Sequence, residues 1–233
     1  MIIFARREIA RRAFCFGEKK MKAVIFDMDG VLVDSQPYHF KADIETMSEY
    51  GVVKDQKFYE KFAGTLTSDR MRILKDLFKL DIPVEEMVKK REDMILEIMA
   101  REDIKPVSGI PEFLKSIKNR GLKTAVASSS GYDLIGLILS RLGISEYFDS
   151  ITSGNDVKRG KPDPDVFLLA AERIGVNPRD CFVVEDSENG VKAAKSAGMK
   201  ALGYINPTSG YQCLDMADFI TDDFKKVNIE MFM

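Results

Sequence analysis

The sequence predicts an α/β fold, a parallel-sheet core interrupted by one helical insert. Three observations carry this expectation. Short continuous apolar runs recur along the chain, beginning with Ala23-Val24-Ile25-Phe26, the pattern of strands buried on both faces. Segments with helical spacing separate most of these runs, as in parallel strands joined by crossover helices. From residue 37 to about residue 104 that rhythm stops, and only helical patterns appear.

Each element follows in order. After the strand at 23–26 come helical patterns at Tyr38–Tyr50, Ser68–Leu80 and Val84–Arg101, with Pro83 at a natural helix start. Pro37 at one end of this insert and Pro106 with Gly109 at the other mark linkers back to the core. The helix Ile110–Arg120 leads to a strand at Thr124–Ala127, and Tyr132–Leu142 to a weaker strand at Phe148–Thr152. Asp165–Ile174 then precedes Cys181–Val184, and Glu188–Ala197 precedes Ala201–Ile205, with a last weak strand at Phe219–Ile220. In such sheets ligands gather beyond the carboxyl ends of the strands.

Bulk properties remove several function classes. With 233 residues, 45% apolar and 31% charged, the composition is that of a globular protein. A net charge of −2 gives no electrostatic reason to expect nucleic acid. No apolar run approaches the roughly 20 residues needed to span a bilayer. The three cysteines (Cys15, Cys181, Cys213) form no C-x-x-C pair, which argues against a disulfide framework or zinc ribbon and for a cytoplasmic protein. Residues 1–20 carry six basic and two acidic side chains, a balance of 6 − 2 = +4. They read as a dispensable basic extension ahead of a domain starting at Met21, in preference to a targeting segment.

The chemistry concentrates at the strand ends. Asp27 closes the first buried run, and Asp29 and Gly30 follow. Gly30 lets the backbone turn sharply, so that two carboxylates at i and i+2 address one site, and the loop's N–H groups offer an anion-binding concavity. A second acidic pair, Glu185-Asp186, ends the run at 181–184 and reaches the same sheet edge. Close carboxylates repel, and a hard cation such as magnesium relieves this with few protein ligands. Ser128-Ser129-Ser130 ends the run at 124–127, and Lys161 sits in Gly160-Lys161-Pro162-Asp163-Pro164. Singly, each reads as a turn, a helix cap or a solvated charge; together they point to a phosphate or metal site.

These residues resemble a known family. DMDGVLVDS at 27–35, Ser128, Lys161 in GKPDPD and Glu185-Asp186 in EDSENG are similar to the four ordered motifs of the haloacid dehalogenase superfamily. The resemblance runs from Met21 to about Asp223, and the helical insert resembles the C1 cap of the branch containing β-phosphoglucomutase and small sugar-phosphate phosphatases. It implies a Rossmann-like core over 21–36 plus 105–233 and a cap over 37–104. It also implies that Asp27 is the nucleophile of an aspartyl-phosphate mechanism. Asp29 would be general acid and then base, and Ser128 and Lys161 would hold the transferring phosphoryl group. Asp27, the Met28 backbone carbonyl, Asp186 and, in a supporting role, Glu185 would hold Mg2+. Gly30, Ser129, Ser130, the hinge His39, and Gly64, Thr67 and Arg70 of the cap are the expected substrate contacts.

The function implied is hydrolysis of a small phosphate monoester by a monomer whose partner is a phosphorylated metabolite. The alternative is a β-phosphoglucomutase-type isomerase, which His39 favours by position. Against it, Thr67 stands where mutases carry an arginine for the second phosphate, and Gly131-Tyr132 where they carry Lys-Asn. A non-catalytic sugar-phosphate sensor would be expected to lose Asp27 or Asp29, and both are present. The stretch Gly154–Lys161 is no P-loop, because five residues separate its glycines and Pro162 follows the lysine.

Overall fold

The structure, a computed structural model, describes residues 21–62, 66–210 and 212–232. The basic extension and Gly64 therefore lie outside the described residues. Six strands form one sheet: β1 Ala23–Phe26, β2 Lys123–Ser128, β3 Ser150–Ser153, β4 Cys181–Glu185, β5 Lys200–Tyr204 and β6 Phe219–Thr221. Their order is β3-β2-β1-β4-β5-β6, and every neighbouring pair is parallel. The order reverses at β1, between β2 and β4, which is where sheets of this type open a crevice for ligands.

Alternation along each strand explains the continuous apolar runs. Val24 and Phe26 of β1 join Phe182 and Val184 of β4 in one core layer, while Ala23, Ile25, Cys181 and Val183 join the other. A strand covered on both faces needs apolar residues at every position. Helix α5 (Ile110–Asn119) and helix α6 (Tyr132–Leu142) supply apolar side chains to the first layer; α7 (Asp165–Arg173) and α8 (Glu188–Ser196) supply them to the second.

Four helices lie between β1 and α5 among the described residues: α1 Gln36–Glu49, α2 Gln56–Glu60, α3 Thr67–Phe78 and α4 Val84–Arg101. They bury a cluster of their own around Phe40, Met47, Tyr59, Met71, Leu74 and Met87. Pro37 falls in the first turn of α1, not in a linker, because a proline there forfeits no helical hydrogen bond. The two crossings between these helices and the sheet run side by side: Val33 bridges Pro106, and the Val107 N–H donates to the Leu32 carbonyl at 3.0 Å. Helix α2 escapes sequence reading because five residues are too few to establish a period. β3 starts later than its apolar run suggests, because a 3-10 turn at Ser145–Tyr147 positions Phe148 outside the strand. No described helix is long and apolar enough to cross a membrane.

Candidate active site

Strand register brings the predicted residues together. Phe26 pairs with Val184 on one side and Val126 on the other, so Asp27, Glu185 and Ala127 reach the sheet edge at one level. The Asp27 N–H donates to the Val184 carbonyl at 2.9 Å, extending the ladder to the carboxylate itself. Lys161 arrives from the loop before α7 and is buried there, with its side chain 8% exposed. Its ammonium lies 2.5 Å from Asp27 Oδ1, 2.7 Å from Glu185 Oε1 and 3.3 Å from the Ala127 carbonyl. The solvated-charge reading of Lys161 is thereby corrected: two carboxylates and a carbonyl account for all three of its donors.

Burial and charge set the protonation of this cluster. Burial raises the Asp27 carboxyl well above its ordinary value; Lys161 opposes this, while Glu185, Asp29 and Asp186 add to it. Burial would lower the Lys161 ammonium, but the Asp27 and Glu185 carboxylates outweigh it and raise it instead. Asp186 is pushed up to about 7, by burial and then by Glu185. Carboxylate oxygens of Asp27, Glu185 and Asp186 all lie within 4.8 Å of one another. Three carboxylates against one lysine leave 1 − 3 = −2, and the donors are hard oxygens, so the site fits a divalent cation of the magnesium type. Glu185 serves both settings: Oε1 meets Lys161, and Oε2 accepts from the Ser187 N–H at 2.8 Å and its hydroxyl at 2.9 Å.

Gly30 adopts φ +81°, and a Cβ there would lie 2.1 Å from Asp186 Oδ2. The sharp turn expected after Asp29 is thus also a close approach that only glycine permits. Asp29 belongs to a second group. Its Oδ2 accepts from the Ser130 hydroxyl at 3.0 Å and the Ser128 hydroxyl at 3.5 Å, and its Oδ1 lies 3.3 Å from His39 Nε2. Burial would raise the Asp29 carboxyl, but hydrogen bonds, from His39 first and then from Ser35 and Ser130, hold it below its ordinary value. Ser128 is no helix cap, since Gly131 precedes α6; its Oγ accepts from the Ser130 N–H at 3.0 Å. Ser129 is exposed beside them.

The cap residues divide differently. His39 Nδ1 lies 2.8 Å from Arg91 Nη2. A guanidinium only donates, so Nδ1 accepts and Nε2 carries the hydrogen that faces Asp29. Arg91 also pairs with Asp43 Oδ1 at 3.0 Å, and Arg70 Nε lies 3.2 Å from Asp43 Oδ2. Arg70, expected among the substrate contacts, is only 7% exposed and is engaged with this buried aspartate instead. Thr67 opens α3, half-buried.

Sequence reasoning missed Asp43 and Arg91, although a signal existed. Asp43 stands between Phe40 and Met47 on the apolar face of α1, and Arg91 between Met87 and Met94 on that of α4. A charge at helical spacing within an apolar stripe marks a buried pair.

Known proteins are similar to this chain in sequence and fold. The family model described as haloacid dehalogenase-like hydrolase matches residues 24–204. A phosphorylated carbohydrates phosphatase of Thermotoga maritima is 35% identical over 182 residues, covering 78% of this chain and 84% of its own. A β-phosphoglucomutase of Bacillus subtilis is 36% identical over 191 residues, covering 78% and 83%. A crystal structure of a CbbY mutant from Rhodobacter sphaeroides, in complex with xylulose-(1,5)bisphosphate, superposes with a TM-score of 0.78 at 25% identity, over 88% of this chain and 96% of the other. With motifs, fold and relatives in agreement, the chain belongs to the haloacid dehalogenase-like hydrolases.

Proposed function

We propose that the chain is a magnesium-dependent phosphatase that hydrolyses a small phosphate monoester, of the sugar-phosphate class, through an aspartyl-phosphate on Asp27. The observation that carries this reading is Asp27 at the sheet edge with Lys161 at 2.5 Å, two further carboxylates beside it and Asp29 two residues on. Asp27 attacks phosphorus, the P–O bond to the alcohol breaks, and Asp29 gives that alcohol its proton. Asp29 then takes a proton from water, whose oxygen attacks the phosphoryl group and frees Asp27. Asp29 rests ionised, the form the second step needs. For the first it must gain a proton, which the negative charge of an arriving phosphate favours. Lys161, exchanging its long 3.3 Å contact with the Ala127 carbonyl for a phosphoryl oxygen, and the hydroxyls of Ser128 and Ser130 hold the equatorial oxygens. Asp27 and Asp186 would hold Mg2+, which would neutralise charge on nucleophile and phosphate; the Met28 carbonyl, expected as a further ligand, instead accepts from the Leu32 N–H at 2.9 Å and the Val33 N–H at 3.2 Å inside the turn.

Relatives of nearly equal identity include a phosphatase and a mutase, so the choice between hydrolysis and isomerisation rests on the site. Arg70 is engaged with Asp43, and Tyr132 donates to Asp156 at 2.6 Å beside Arg173. Neither supplies the free cation that a substrate's second phosphate calls for, which favours hydrolysis. A panel of phosphomonoesters with magnesium, including β-glucose 1-phosphate with a trace of glucose 1,6-bisphosphate, tests the choice. Inorganic phosphate is the expected product; glucose 6-phosphate accumulating faster than phosphate would overturn it.

The metal reading has its own test in pH-dependent stability. Asp186 rises from the ordinary 3.8 to about 7 in the folded chain. A raised carboxyl costs the folded state nothing below 3.8, a growing amount as pH rises towards 7, and its full amount above that. Magnesium removes this cost, so its rise in unfolding temperature is expected to be larger at pH 8 than at pH 5. At about 100 times its Kd the ion contributes about 2.7 kcal/mol. Thermal unfolding with and without MgCl2 at both pH values checks this, and equal shifts would contradict it.

A further inference from the structure

The loop after β5 makes contacts that the chemistry above leaves unused. Asn206, 3% exposed, donates from Nδ2 to the Gly30 carbonyl at 3.0 Å. Its Oδ1 accepts from the Thr208 N–H at 3.0 Å and the Thr208 hydroxyl at 2.9 Å, and that hydroxyl also reaches Asp34 Oδ1. Ser209 donates to Asp186 Oδ2 at 2.7 Å, and Gln212 to the Asp186 carbonyl at 2.5 Å. Polar side chains of one loop thus converge on two places: the turn at Gly30 and the carboxylate of Asp186.

Those two places touch. A Cβ on Gly30 would fall 2.1 Å from Asp186 Oδ2, the oxygen that Ser209 holds. A carboxylate turns about its terminal bond over a broad range. Fixed by Ser209 on one side and wedged against Gly30 on the other, Asp186 has one plane left to it. Oδ2 is committed to the protein, and Oδ1 is the freer oxygen for a cation. The loop bearing Ser209 is itself fastened to the nucleophile loop through Asn206, so both sides of the carboxylate cluster are tied to each other.

We infer that Ser209 is a positioning residue for the cation site, its hydroxyl fixing the plane of Asp186 while the Asn206–Gly30 hydrogen bond holds its loop in place. The inference rests on the magnesium reading proposed above. Groups that hydrogen-bond a metal-ligating carboxylate from outside the coordination shell are worth about 10- to 100-fold in metal affinity or activity.

Calorimetric titration of the purified full chain with MgCl2 tests this, comparing the parent with Ser209→Ala and Ser209→Thr. Ser209→Ala is expected to bind Mg2+ about 10-fold more weakly, and the magnesium concentration for half-maximal phosphatase activity rises by a similar factor. Ser209→Thr keeps the hydroxyl and is expected to stay near the parent. The metal-free alanine variant is expected to keep the parent's circular-dichroism spectrum and a single cooperative unfolding transition, which separates metal positioning from loss of the loop. Equal affinity for the alanine variant and the parent overturns the inference, and so does a threonine variant as weak as alanine. A parent that takes up no Mg2+ at all overturns the metal reading itself, a result distinguishable from either.

Discussion

Asp27→Asn is expected to lower turnover by about 10⁴- to 10⁶-fold, the range seen when a covalent nucleophile is removed. Asparagine keeps the side chain's volume and one carbonyl oxygen, but an amide does not form the acyl-phosphate. The fold should survive. Burial, opposed only in part by Lys161 and reinforced by Glu185, Asp29 and Asp186, raises the Asp27 carboxyl, so ionising it at neutral pH costs the folded state free energy. Removing the charge is therefore expected to leave the metal-free unfolding midpoint at pH 8 at or above that of the parent. Trapping labelled phosphate on the protein after an acid quench should succeed with the parent and fail with the variant. Turnover above about one-hundredth of the parent's would sink the nucleophile assignment.

Lys161→Met carries the largest expected effect on stability. Methionine fills much of the same space without the ammonium that stands 2.5 Å from Asp27 and 2.7 Å from Glu185. Both carboxylates would be left buried and uncompensated, which costs about 3–5 kcal/mol. For a chain of this size each kcal/mol lowers the midpoint by about 2–4 °C, so a fall of about 6–20 °C is expected at pH 8. The sign with pH follows from the same geometry. Without the lysine, which opposes the rise of the Asp27 carboxyl, Asp27 takes up a proton more readily in the folded state, so the deficit should shrink as pH falls from 8 to 5. Circular-dichroism melts of both proteins at these pH values measure it; equal midpoints at pH 8 would show that Lys161 does not compensate the cluster. Turnover should also be lost, because the same ammonium is proposed to hold the transferring phosphoryl group.

Part of this site was legible before any coordinates. Two acidic pairs, each ending an apolar run, announced a shared sheet edge, because a strand buried on both faces leaves its pattern at every position and its end is where polar residues resume. Ser128 stood out only weakly, as the end of an apolar run, and Lys161 sits in no pattern that spacing would single out; the motifs gave both their roles. Arg70 shows the limit from the other side. Its place after the cap loop suggested a substrate contact, yet its partner Asp43 lies 27 positions earlier, on another helix. Spacing along one helix does not reveal which buried charge another helix presents.

The sequence by itself specified the alternating core, the helical insert and the carboxylates Asp27, Asp29, Glu185 and Asp186 at strand termini, because burial periodicity and chain direction are local properties. Tertiary structure decided the rest: that Lys161 is buried between two carboxylates, that His39 faces Asp29 with Arg91 behind it, and that Asn206 and Ser209 reach back across 176 and 23 positions to Gly30 and Asp186. The physical reason is that protonation, hydrogen-bond direction and desolvation depend on distances of a few ångströms between residues far apart in the chain, and only the packed sheet and helices fix those distances.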